Sequence, residues 1–413
     1  MKKILMIAYH YPPIGGVAAQ RPLKFSKYFP EFGWTSSILT VANDQTFSRD
    51  TSLISQIPQG QQIFRSFRIP IFSVIRKFLR KGLYRYHSFF TFVDSFFDWV
   101  PGAINLGKSI VERNKFDAIY ATAPPYSSLR IAIALKKKTG LPIIADLRDP
   151  YSANEHINWP TRFHHKFYRI YESKILRKFD HVVVVHRLMQ DDITDKMGIS
   201  QSKVSVIPNG YDPDDFKSIN HTPNNDVFLF GYVGSIYGKL TAEPFFASLS
   251  IALQERPQMR NRCRVVFMGN TPKLRLLKEA ARYGVSDLID IVGFQPHQEA
   301  LKLMQKSHVL LLFGAVVLPN AIAMKMFEYA ASERPTLSFG KEGIHQEYIK
   351  SNKFGFTVDS DDPQEGADRI IGFFDKFLQG KDIEGPSPEY YEKFSRKSQT
   401  RKLAGILDFL IDK

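Results

Sequence analysis

Residues 228–233 read Phe-Leu-Phe-Gly-Tyr-Val, a short run that is almost entirely apolar and does not alternate with polar residues. A run of this kind is typical of a parallel strand buried on both faces of a sheet. Similar runs recur through the following 130 residues, with helical stretches between them, at 264–268, 289–293, 309–313, 335–339 and 356–358. Strand, helix and strand in repetition predict a doubly wound α/β domain.

The same pattern occurs earlier in the chain. Apolar runs stand at 4–9, 36–41, 118–123, 142–147, 181–185 and 204–207. The 413 residues exceed one ordinary core and suit two domains of about 200 residues each. We therefore predict two doubly wound domains that face each other across a cleft, where ligands of open α/β sheets bind. The predicted division is an N-terminal domain 1–210, a linker 211–226, a C-terminal domain 227–385, and a final helix 386–413 that packs back towards the N-terminal domain.

Composition excludes several classes of protein. Apolar residues make up 44% and charged residues 23% of the chain, which is ordinary for a globular protein and excludes disorder. The single cysteine, Cys263, excludes a disulfide framework and a cysteine-based zinc site. No apolar run approaches the roughly 18–20 residues of a spanning helix. We interpret residues 4–9 as a strand rather than a signal peptide, so the expected location is cytoplasmic or on the inner membrane surface.

The positive charge is concentrated in the first half of the chain. The net charge is +15, and residues 1–200 hold 29 Lys/Arg against 15 Asp/Glu, while residues 201–413 hold 27 against 26. A basic half beside a neutral half indicates a face that meets something anionic. Nucleic acid, an anionic membrane and phosphorylated substrates all fit this distribution.

One basic, aromatic segment breaks the strand–helix pattern. Residues 51–93 contain no Asp or Glu, and on a helical wheel an apolar face from Ile71 to Tyr86 lies opposite four basic residues, Arg76, Lys77, Arg80 and Lys81. This is the composition of a helix that lies in the plane of a membrane. A surface helix that packs on its own domain has the same two-faced pattern, so the pattern alone does not separate the two.

The first strand is followed by a loop with paired glycines, Gly15 and Gly16. Glycines there let the backbone approach a ligand closely, and the next helix offers its N-terminal N–H groups to an anion. The dinucleotide fingerprint G-x-G-x-x-G is absent, which argues against a nicotinamide or flavin cofactor.

The run at 142–147 ends in Asp146-Leu147-Arg148-Asp149-Pro150. Charged groups at the carboxyl end of a strand face the expected ligand site, and Asp149 is the better placed of the two acids. The less favoured alternative is that Asp149 caps the turn while Arg148 pairs with a carboxylate. The spacing D-x-x-D differs from the D-x-D by which one class of sugar-nucleotide enzymes holds a metal. We predict no metal site.

The most informative stretch is 317–332, which follows the run at 309–313. Asn320 after Pro319 predicts a helix N-cap. Lys325 and Glu328 lie three residues apart within the first turns of that helix, and a surface ion pair is the alternative interpretation. Backbone donors and a cation suit a diphosphate, whereas a carboxylate suits two vicinal ribose hydroxyls.

An ordered set of stretches covers almost the whole chain: the loop 11–16 followed by Gln20-Arg21-Pro22-Leu23-Lys24, then Phe97-Asp98-Trp99-Val100-Pro101, Asp146–Pro150, Val206-Ile207-Pro208-Asn209-Gly210-Tyr211-Asp212, Tyr232-Val233-Gly234-Ser235 and Lys325–Tyr329. Taken together, these stretches resemble the retaining glycosyltransferases of the two-Rossmann (GT-B) type, family 4 branch.

The resemblance implies a site in which the C-terminal domain binds a nucleotide-sugar donor without metal or cofactor and the N-terminal domain binds the acceptor. It places the ribose on Glu328 and the diphosphate on Lys325, on Lys239 and on the backbone of Asn320, Ala321, Ile322 and Ala323. Gly15 and Gly16 would lie beside the sugar and the leaving phosphate. Many relatives carry Glu where this chain has Asn320, and Arg where it has Ser235.

The function expected from the sequence is transfer of a sugar from a nucleoside diphosphate to a polyprenyl-diphosphate-linked saccharide in surface polysaccharide biosynthesis. UDP is the favoured nucleotide. Asp149, Lys325 and Lys239 are the expected catalytic residues, and Arg148 with the basic segment would meet the acceptor and an anionic membrane. A UDP-N-acetylglucosamine 2-epimerase shares the fold and is one alternative. A degenerate glycosyltransferase that serves as a partner subunit is another. A nucleic-acid binder is disfavoured because no recognition module is present.

Overall fold

The computed structural model of the chain describes residues 1–42, 44, 46–47, 49–68, 94, 96–153, 159, 161–217, 222–236, 238, 240–314 and 322–412. The chain divides into two compact units. Unit 1 comprises Met1–Asn209 and Arg396–Lys413, and unit 2 comprises Gly210–Ser395.

Unit 1 contains a parallel sheet with the order β3-β2-β1-β4-β5-β6-β7. Its strands are β1 (Lys2–Ile7), β2 (Trp34–Val41), β3 (Gln62–Ser66), β4 (Ala118–Ala123), β5 (Ile143–Leu147), β6 (His181–Val184) and β7 (Val204–Val206). In the register, Ile4 on β1 lies opposite Ser36 on one side and Ala118 on the other. The strand order reverses between β1 and β4, which is where a sheet of this type leaves a crevice for ligands.

Helices connect these strands. They are α1 (Val17–Tyr28), α2 (Val100–Arg113), α3 (Ser127–Thr139), α4 (Arg162–Leu176) and α5 (Arg187–Asp191), and the chain returns at its end with α15 (Arg396–Ile411). Leu403, Ala404 and Leu407 of α15 lie in the same apolar cluster as Phe25 and Trp34. The predicted returning helix spanned 386–413, whereas the helix in unit 1 begins at Arg396 and residues 386–395 lie in unit 2.

Unit 2 repeats the architecture with the parallel order β10-β9-β8-β11-β12-β13. Its strands are β8 (Phe228–Val233), β9 (Cys263–Met268), β10 (Ile289–Gly293), β11 (Val309–Phe313), β12 (Thr336–Phe339) and β13 (Gly355–Val358). The helices are α6 (Pro213–Lys217), α7 (Glu243–Glu255), α8 (Met259–Arg262), α9 (Lys273–Arg282), α10 (His297–Lys306), α11 (Lys325–Ala331), α12 (Ile344–Ser351), α13 (Pro363–Leu378) and α14 (Pro388–Tyr391).

The prediction of two doubly wound α/β domains is confirmed. Every run interpreted as a strand is one. The central strands are buried, and β11, for example, is buried along its whole length, whereas β10 and β13 at the outer positions of the unit 2 sheet are partly exposed. β3 was missed. It is the edge strand of its sheet, and its sequence Gln-Ile-Phe-Arg-Ser is largely half-exposed, so it carries no continuous apolar run.

A fully buried ion pair joins three of the stretches that carry the family resemblance. Arg21 Nη2 lies 2.7 Å from Asp146 Oδ1, and both side chains are inaccessible to solvent. Tyr120 Oη and Thr122 Oγ1 donate to Asp146 Oδ2 at 2.6 and 3.0 Å. Arg21 also donates to the carbonyls of Ile207 and Pro208 at 3.0 and 2.8 Å. Burial by itself raises the pKa of Asp146, but the Arg21 guanidinium outweighs it and holds that pKa below its usual range. These residues therefore hold the fold together, with α1, β4 and β5 locked to the end of β7.

A second buried cluster uses part of the basic segment 51–93. Arg68 pairs with Asp44 at 2.9 Å and with Asp98 at 2.6 Å, and it donates to Tyr9 Oη at 3.1 Å. Arg65 donates to the Pro12 carbonyl at 2.6 Å. The expectation that residues 51–93 break the strand–helix pattern is thus wrong for their first part, where Thr51–Gln56 form a 3₁₀ turn, β3 joins the sheet and two arginines bind the protein itself. Residues 69–93, with Arg76, Lys77, Arg80 and Lys81, lie outside the described residues.

Across the described part of the chain, every helix is too short or too polar to span a bilayer.

Candidate functional site

Helix α11 is anchored to the carboxyl end of β8 by a buried tyrosine. Tyr329 Oη accepts a hydrogen bond from Val233 N at 2.8 Å and donates one to Val233 O at 3.2 Å. Met326, Phe327 and Ala330 fill the underside of the helix, where they are fully buried. The first turn of α11 is therefore fixed beside the last residues of β8.

This anchoring places the Lys325 ammonium against Tyr232 and Gly234. Lys325 Nζ lies 3.8 Å from the centre of the Tyr232 ring, a cation–π contact. A Cβ atom on Gly234 would stand 2.7 Å from Nζ, and Gly234 has φ of +134°. Only glycine accommodates both that backbone conformation and the close approach of the lysine.

The charge of Lys325 is not neutralised within the described structure. Neither a hydrogen bond nor an ion pair from a described residue reaches Nζ, and burial lowers the pKa of Lys325 to about 7. The Tyr232 ring stabilises the ammonium ion less than full hydration by water would. An anion placed beside Nζ would restore the charged form.

Glu328, one turn further along α11, has a partner that the sequence did not indicate. Its Oε1 lies 3.0 Å from Nε2 of His297, the first residue of α10, and both side chains are partly exposed. The prediction left a surface Lys325–Glu328 pair open, but the paired groups are Glu328 and His297. Since 31 residues separate them, no local spacing could have indicated the contact.

Glycines line the carboxyl edge of the unit 2 sheet. Gly234, Gly269, Gly314 and Gly340 directly follow β8, β9, β11 and β12, and Gly293 ends β10. A Cβ atom on Gly269 would stand 2.3 Å from the Gly234 carbonyl oxygen. Backbones meet here without side chains between them, so the edge beside Lys325 presents backbone rather than side chains. The recurrence of glycine at or directly after five of the six apolar runs is a signal that sequence analysis could have used.

The loop before α11 differs from its prediction. The helix begins at Lys325 with Met324 as its N-terminal flanking residue, so Asn320 as the N-cap is wrong by about one turn. Ile322 and Ala323 are partly buried and precede the helix, while Asn320, Ala321 and Lys239 lie outside the described residues. Ser235 is exposed, and its carbonyl accepts a hydrogen bond from Tyr232 Oη at 3.0 Å.

In unit 1 the paired glycines precede α1, as predicted. Gly16 is exposed, has φ of +86° and provides no side-chain cap for the helix. The loop before it is held by Asp50 N, which donates to Pro13 O at 2.9 Å.

A buried histidine that the sequence analysis passed over lies at the start of this loop, at the carboxyl end of β1. His10 packs edge-on against Tyr9 and Phe47 with ring centres 5.2 and 4.6 Å apart. Burial, assisted by the Arg148 charge, lowers the pKa of His10 to about 3, so the imidazole is neutral. Its Nδ1 is buried and has no hydrogen-bond partner in the described structure.

Arg148 and Asp149 differ in how far they are available to a ligand. The Arg148 guanidinium donates to the backbone carbonyls of Ala18, at 2.7 Å, and of Ala123 and Pro124, which ties α1 to the end of β4. Burial lowers the pKa of Arg148. Asp149 is exposed, and its backbone carbonyl accepts a hydrogen bond from Tyr126 Oη at 2.9 Å. Arg148 therefore has a structural role in unit 1, and Asp149 is the group of the pair that faces solvent.

The described residues contain no group of three or more His, Cys, Asp and Glu side chains arranged to hold a metal ion.

Comparison with protein families matches both halves of the chain. Residues 23–215 match the model described as Glycosyltransferase Family 4, and residues 228–376 match the model described as Glycosyl transferases group 1.

Solved structures share the fold over the full chain. A glycosyltransferase from Rickettsia africae superimposes with a TM-score of 0.68 at 15% identity, covering 100% of this chain and 99% of that one. Anabaena HepE in complex with UDP-glucose gives 0.67 at 14% identity, covering 99% and 100%. The lipopolysaccharide outer core galactosyltransferase WaaB gives 0.60 at 14% identity, covering 98% and 99%.

Among curated proteins the chain is similar to one subunit of the phosphatidylinositol N-acetylglucosaminyltransferase from Arabidopsis thaliana. The two are 22% identical over 180 residues, which is 42% of this chain and 39% of that protein. The chain thus aligns with about two fifths of the length of this relative.

Proposed function

We propose that this chain, which is a GT-B glycosyltransferase with a family 4 domain followed by a group 1 domain, transfers a sugar from a nucleoside diphosphate to a lipid-linked saccharide. The favoured nucleotide is UDP, and the favoured acceptor is a polyprenyl-diphosphate-linked glycan of surface polysaccharide biosynthesis at the inner face of the cell membrane. The reaction retains the configuration of the sugar and requires no metal.

The observation that carries this proposal is the unpaired ammonium of Lys325. A cation held at the open edge of a sheet, with its pKa lowered to about 7 and no anion from the described residues beside it, suits the diphosphate of a donor. When the bond from the sugar to the diphosphate breaks, negative charge accumulates on the leaving oxygen. A prearranged cation stabilises that charge more strongly than it stabilises the intact donor, which is how it lowers the barrier.

This arrangement also supports the absence of a metal requirement. In enzymes that use a divalent ion, the ion neutralises the diphosphate. Here Lys325 supplies a positive charge at the corresponding place, and Lys239 is proposed to supply a second one. The leaving phosphate itself accepts the proton of the attacking hydroxyl, so no separate general base is needed for retention.

Glu328 is proposed to bind the donor ribose. Its carboxylate lies one turn along α11 from Lys325, and a carboxylate with two oxygens accepts hydrogen bonds from two vicinal hydroxyls. Its contact with His297 holds the carboxylate in place before the ribose arrives.

The acceptor is assigned to unit 1. Gly15 and Gly16 leave the start of α1 free of side chains, and Asp149 is an exposed carboxylate at the end of β5. We propose that the acceptor hydroxyl enters here. UDP as the nucleotide is supported by the likeness to HepE, which was solved with UDP-glucose, and a surface glycan as the product by the likeness to WaaB.

A thermal-shift screen of UDP, GDP, ADP and their sugars tests the donor. A true donor at a hundredfold its dissociation constant adds about 2.7 kcal/mol to the free energy of unfolding. UDP and one UDP-sugar are expected to stabilise the protein while GDP and ADP do not. Incubation of that UDP-sugar with and without a lipid-linked saccharide follows. Formation of an epimer without acceptor would replace the proposal with the 2-epimerase, and the absence of any nucleotide effect would favour a non-catalytic partner subunit.

A further inference from the structure

Helix α4 carries bulky apolar side chains on its outward face. Phe163, Phe167 and Ile170 are exposed by 74%, 43% and 48%. Spacings of four and three residues put them on one side of the helix. The inward side is already complete, since Tyr168, Glu172 and Leu176 are buried against unit 1. Packing within the protein therefore does not account for the outward apolar residues.

Basic side chains share that outward face. Lys174 continues the same row as Phe163, Phe167 and Ile170, and Lys166 lies beside it. An open groove of about 400 Å³ runs along the helix with Ile170 in its wall. Five cationic residues line this groove: Lys166, Arg169, Lys174, Arg177 and Lys196.

The described residues leave most of this positive charge unbalanced. Asp192 pairs with Arg169 at 2.9 Å and with Lys196 at 3.2 Å. Lys166 and Lys174 are exposed and have no hydrogen bond or ion pair with any described residue. The face thus combines apolar side chains with unpaired ammonium groups, which is the chemistry of a surface that enters the headgroup region of an anionic bilayer.

We infer that the outward face of α4 docks unit 1 on an anionic lipid bilayer. Phe163, Phe167 and Ile170 enter the boundary between headgroups and acyl chains, and the basic groove binds lipid phosphates. The inference deepens the proposed function and rests on it for its purpose, because a membrane-bound acceptor must be met at the bilayer. It also places the docking surface on α4, separate from Arg76, Lys77, Arg80 and Lys81.

The combination of charge and apolar side chains favours a bilayer over a second copy of the chain and over nucleic acid. A second copy of the chain docked through the same face would bring lysine against lysine across a symmetric interface. Nucleic acid would satisfy the cations, but it would leave the exposed phenylalanines and Ile170 to contact phosphates rather than apolar groups. An acidic, apolar protein partner is the remaining occupant, and the experiment separates it from the bilayer.

Sedimentation of the full chain with lipid vesicles tests the inference. Vesicles of phosphatidylcholine with about 30% phosphatidylglycerol, an anionic surface, are compared with pure phosphatidylcholine at low salt. One variant combines Phe163→Ser, Phe167→Ser and Ile170→Ser, and another combines Lys166→Gln and Lys174→Gln. The matched controls in unit 2 are Leu274→Ser with Phe294→Ser, which are exposed by 71% and 75%, and Lys273→Gln with Lys278→Gln.

We expect the wild-type protein to bind the phosphatidylglycerol vesicles and to dissociate as salt is raised. The apolar variant should lose at least about tenfold in partition coefficient, because three bulky side chains no longer leave water. The lysine variant should lose about fivefold for each lysine, since a cation at such a surface is worth about 1 kcal/mol. Both unit 2 controls should stay within about twofold of the wild-type protein, as changes outside the docking surface leave binding unaltered.

Two results would overturn the inference. One is that the wild-type protein does not bind anionic vesicles, which would favour a protein partner for the outward face of α4. The other is α4 variants that bind like the wild-type protein, whether or not a variant with Arg76, Lys77, Arg80 and Lys81 changed to Ser dissociates. A thermal shift with UDP, measured on every variant, reports folding and the donor site independently. If UDP gave no thermal shift in the wild-type protein, that result would contradict the proposed function but not the docking surface.

Discussion

The ammonium nitrogen of Lys325 lies 3.8 Å above the ring of Tyr232, and no described residue gives it a counter-ion. The aromatic face holds the cation in position, and Gly234 makes room for it. Tyr329, four residues further along the same helix, ties that helix to β8. The donor site we propose is therefore built on rigid elements, with the amine of Lys325 in position before any substrate arrives.

Lys325→Ala should lower kcat for sugar transfer by about 10- to 150-fold. A hydrogen bond to a charged group is worth roughly 1.5–3 kcal/mol, and here it strengthens as the leaving diphosphate gains charge. Lys325→Arg should rescue little, because a longer side chain with a planar, delocalised charge does not put a compact cation where the ammonium nitrogen lies beside Tyr232. Steady-state kinetics measure both variants. A normal kcat in Lys325→Ala would remove this lysine from the reaction.

Glu328→Ala should raise the donor KM by about tenfold or more and change kcat little. The ribose does not change its charge during the reaction, so its contacts contribute equally to the ground state and the transition state. His297→Gln is the matched variant, because it keeps a hydrogen-bond donor beside Glu328 and should leave KM within about twofold. Equal effects of the two variants would mean that the pair only supports the fold.

The affinity for the UDP-sugar should fall as pH rises above about 7. Burial lowers the pKa of Lys325 to about 7 in the free protein, and a bound diphosphate raises it by stabilising the ammonium. Binding therefore takes up a proton above pH 7, and the dissociation constant should rise by up to about tenfold per pH unit there and stay level below it. Titration calorimetry from about pH 6 to 9, which brackets that pKa, measures this. Lys325→Ala, which lacks the titrating group, should show no such slope.

Transfer should survive an excess of EDTA. The described residues contain no metal-binding cluster, and we propose that the ammonium of Lys325 neutralises the diphosphate as a metal ion does in other enzymes. Activity with and without EDTA, and after addition of Mn²⁺ or Mg²⁺, measures the dependence. A strict requirement for either ion would contradict the proposed mechanism.

Asp146→Ala should destabilise the chain by about 3–5 kcal/mol, because it leaves the buried Arg21 guanidinium without its carboxylate. Asp287→Ala is the control, since its partner Arg260 is about half exposed and such pairs contribute roughly 0–1 kcal/mol. Urea unfolding of the two variants measures the difference. If both variants lost a similar amount of unfolding free energy, Asp146 would not be the residue that holds α1 to the sheet.

The fold was largely predictable from the sequence because its central strands are buried on both faces. In a chain of this composition, a continuous apolar run as short as residues 309–313, with helical stretches on either side, strongly favours a buried parallel strand. The edge strand β3 lacks that burial and gave no such run. The sequence around β3 was interpreted as part of a basic segment with exposed charges. Instead, Arg65 binds the Pro12 carbonyl, and Arg68 pairs with Asp44 and Asp98.

The site was predictable only in part. The sequence predicted that Lys325 and Glu328 lie on one helix, because their spacing is local. The predicted start of that helix at Asn320 was too early, since the helix begins at Lys325. His297 and Tyr232 reach the site from other elements of unit 2, and only the folded sheet shows which residues meet there. His10 was passed over because a single histidine after a strand is not a pattern. Its burial and unpaired Nδ1 become evident only in three dimensions.

The affinity of UDP for the wild-type protein and for Lys325→Ala tests the central claim most directly. UDP carries the charge that the leaving group acquires, so it should bind the wild-type protein and lose about 10- to 150-fold in affinity when the ammonium is removed. Lys273→Ala, which removes an exposed lysine of the same unit, should bind UDP as the wild-type protein does. Isothermal titration calorimetry of the three proteins measures these constants. Equal affinity of UDP for the wild-type protein and for Lys325→Ala would contradict the account.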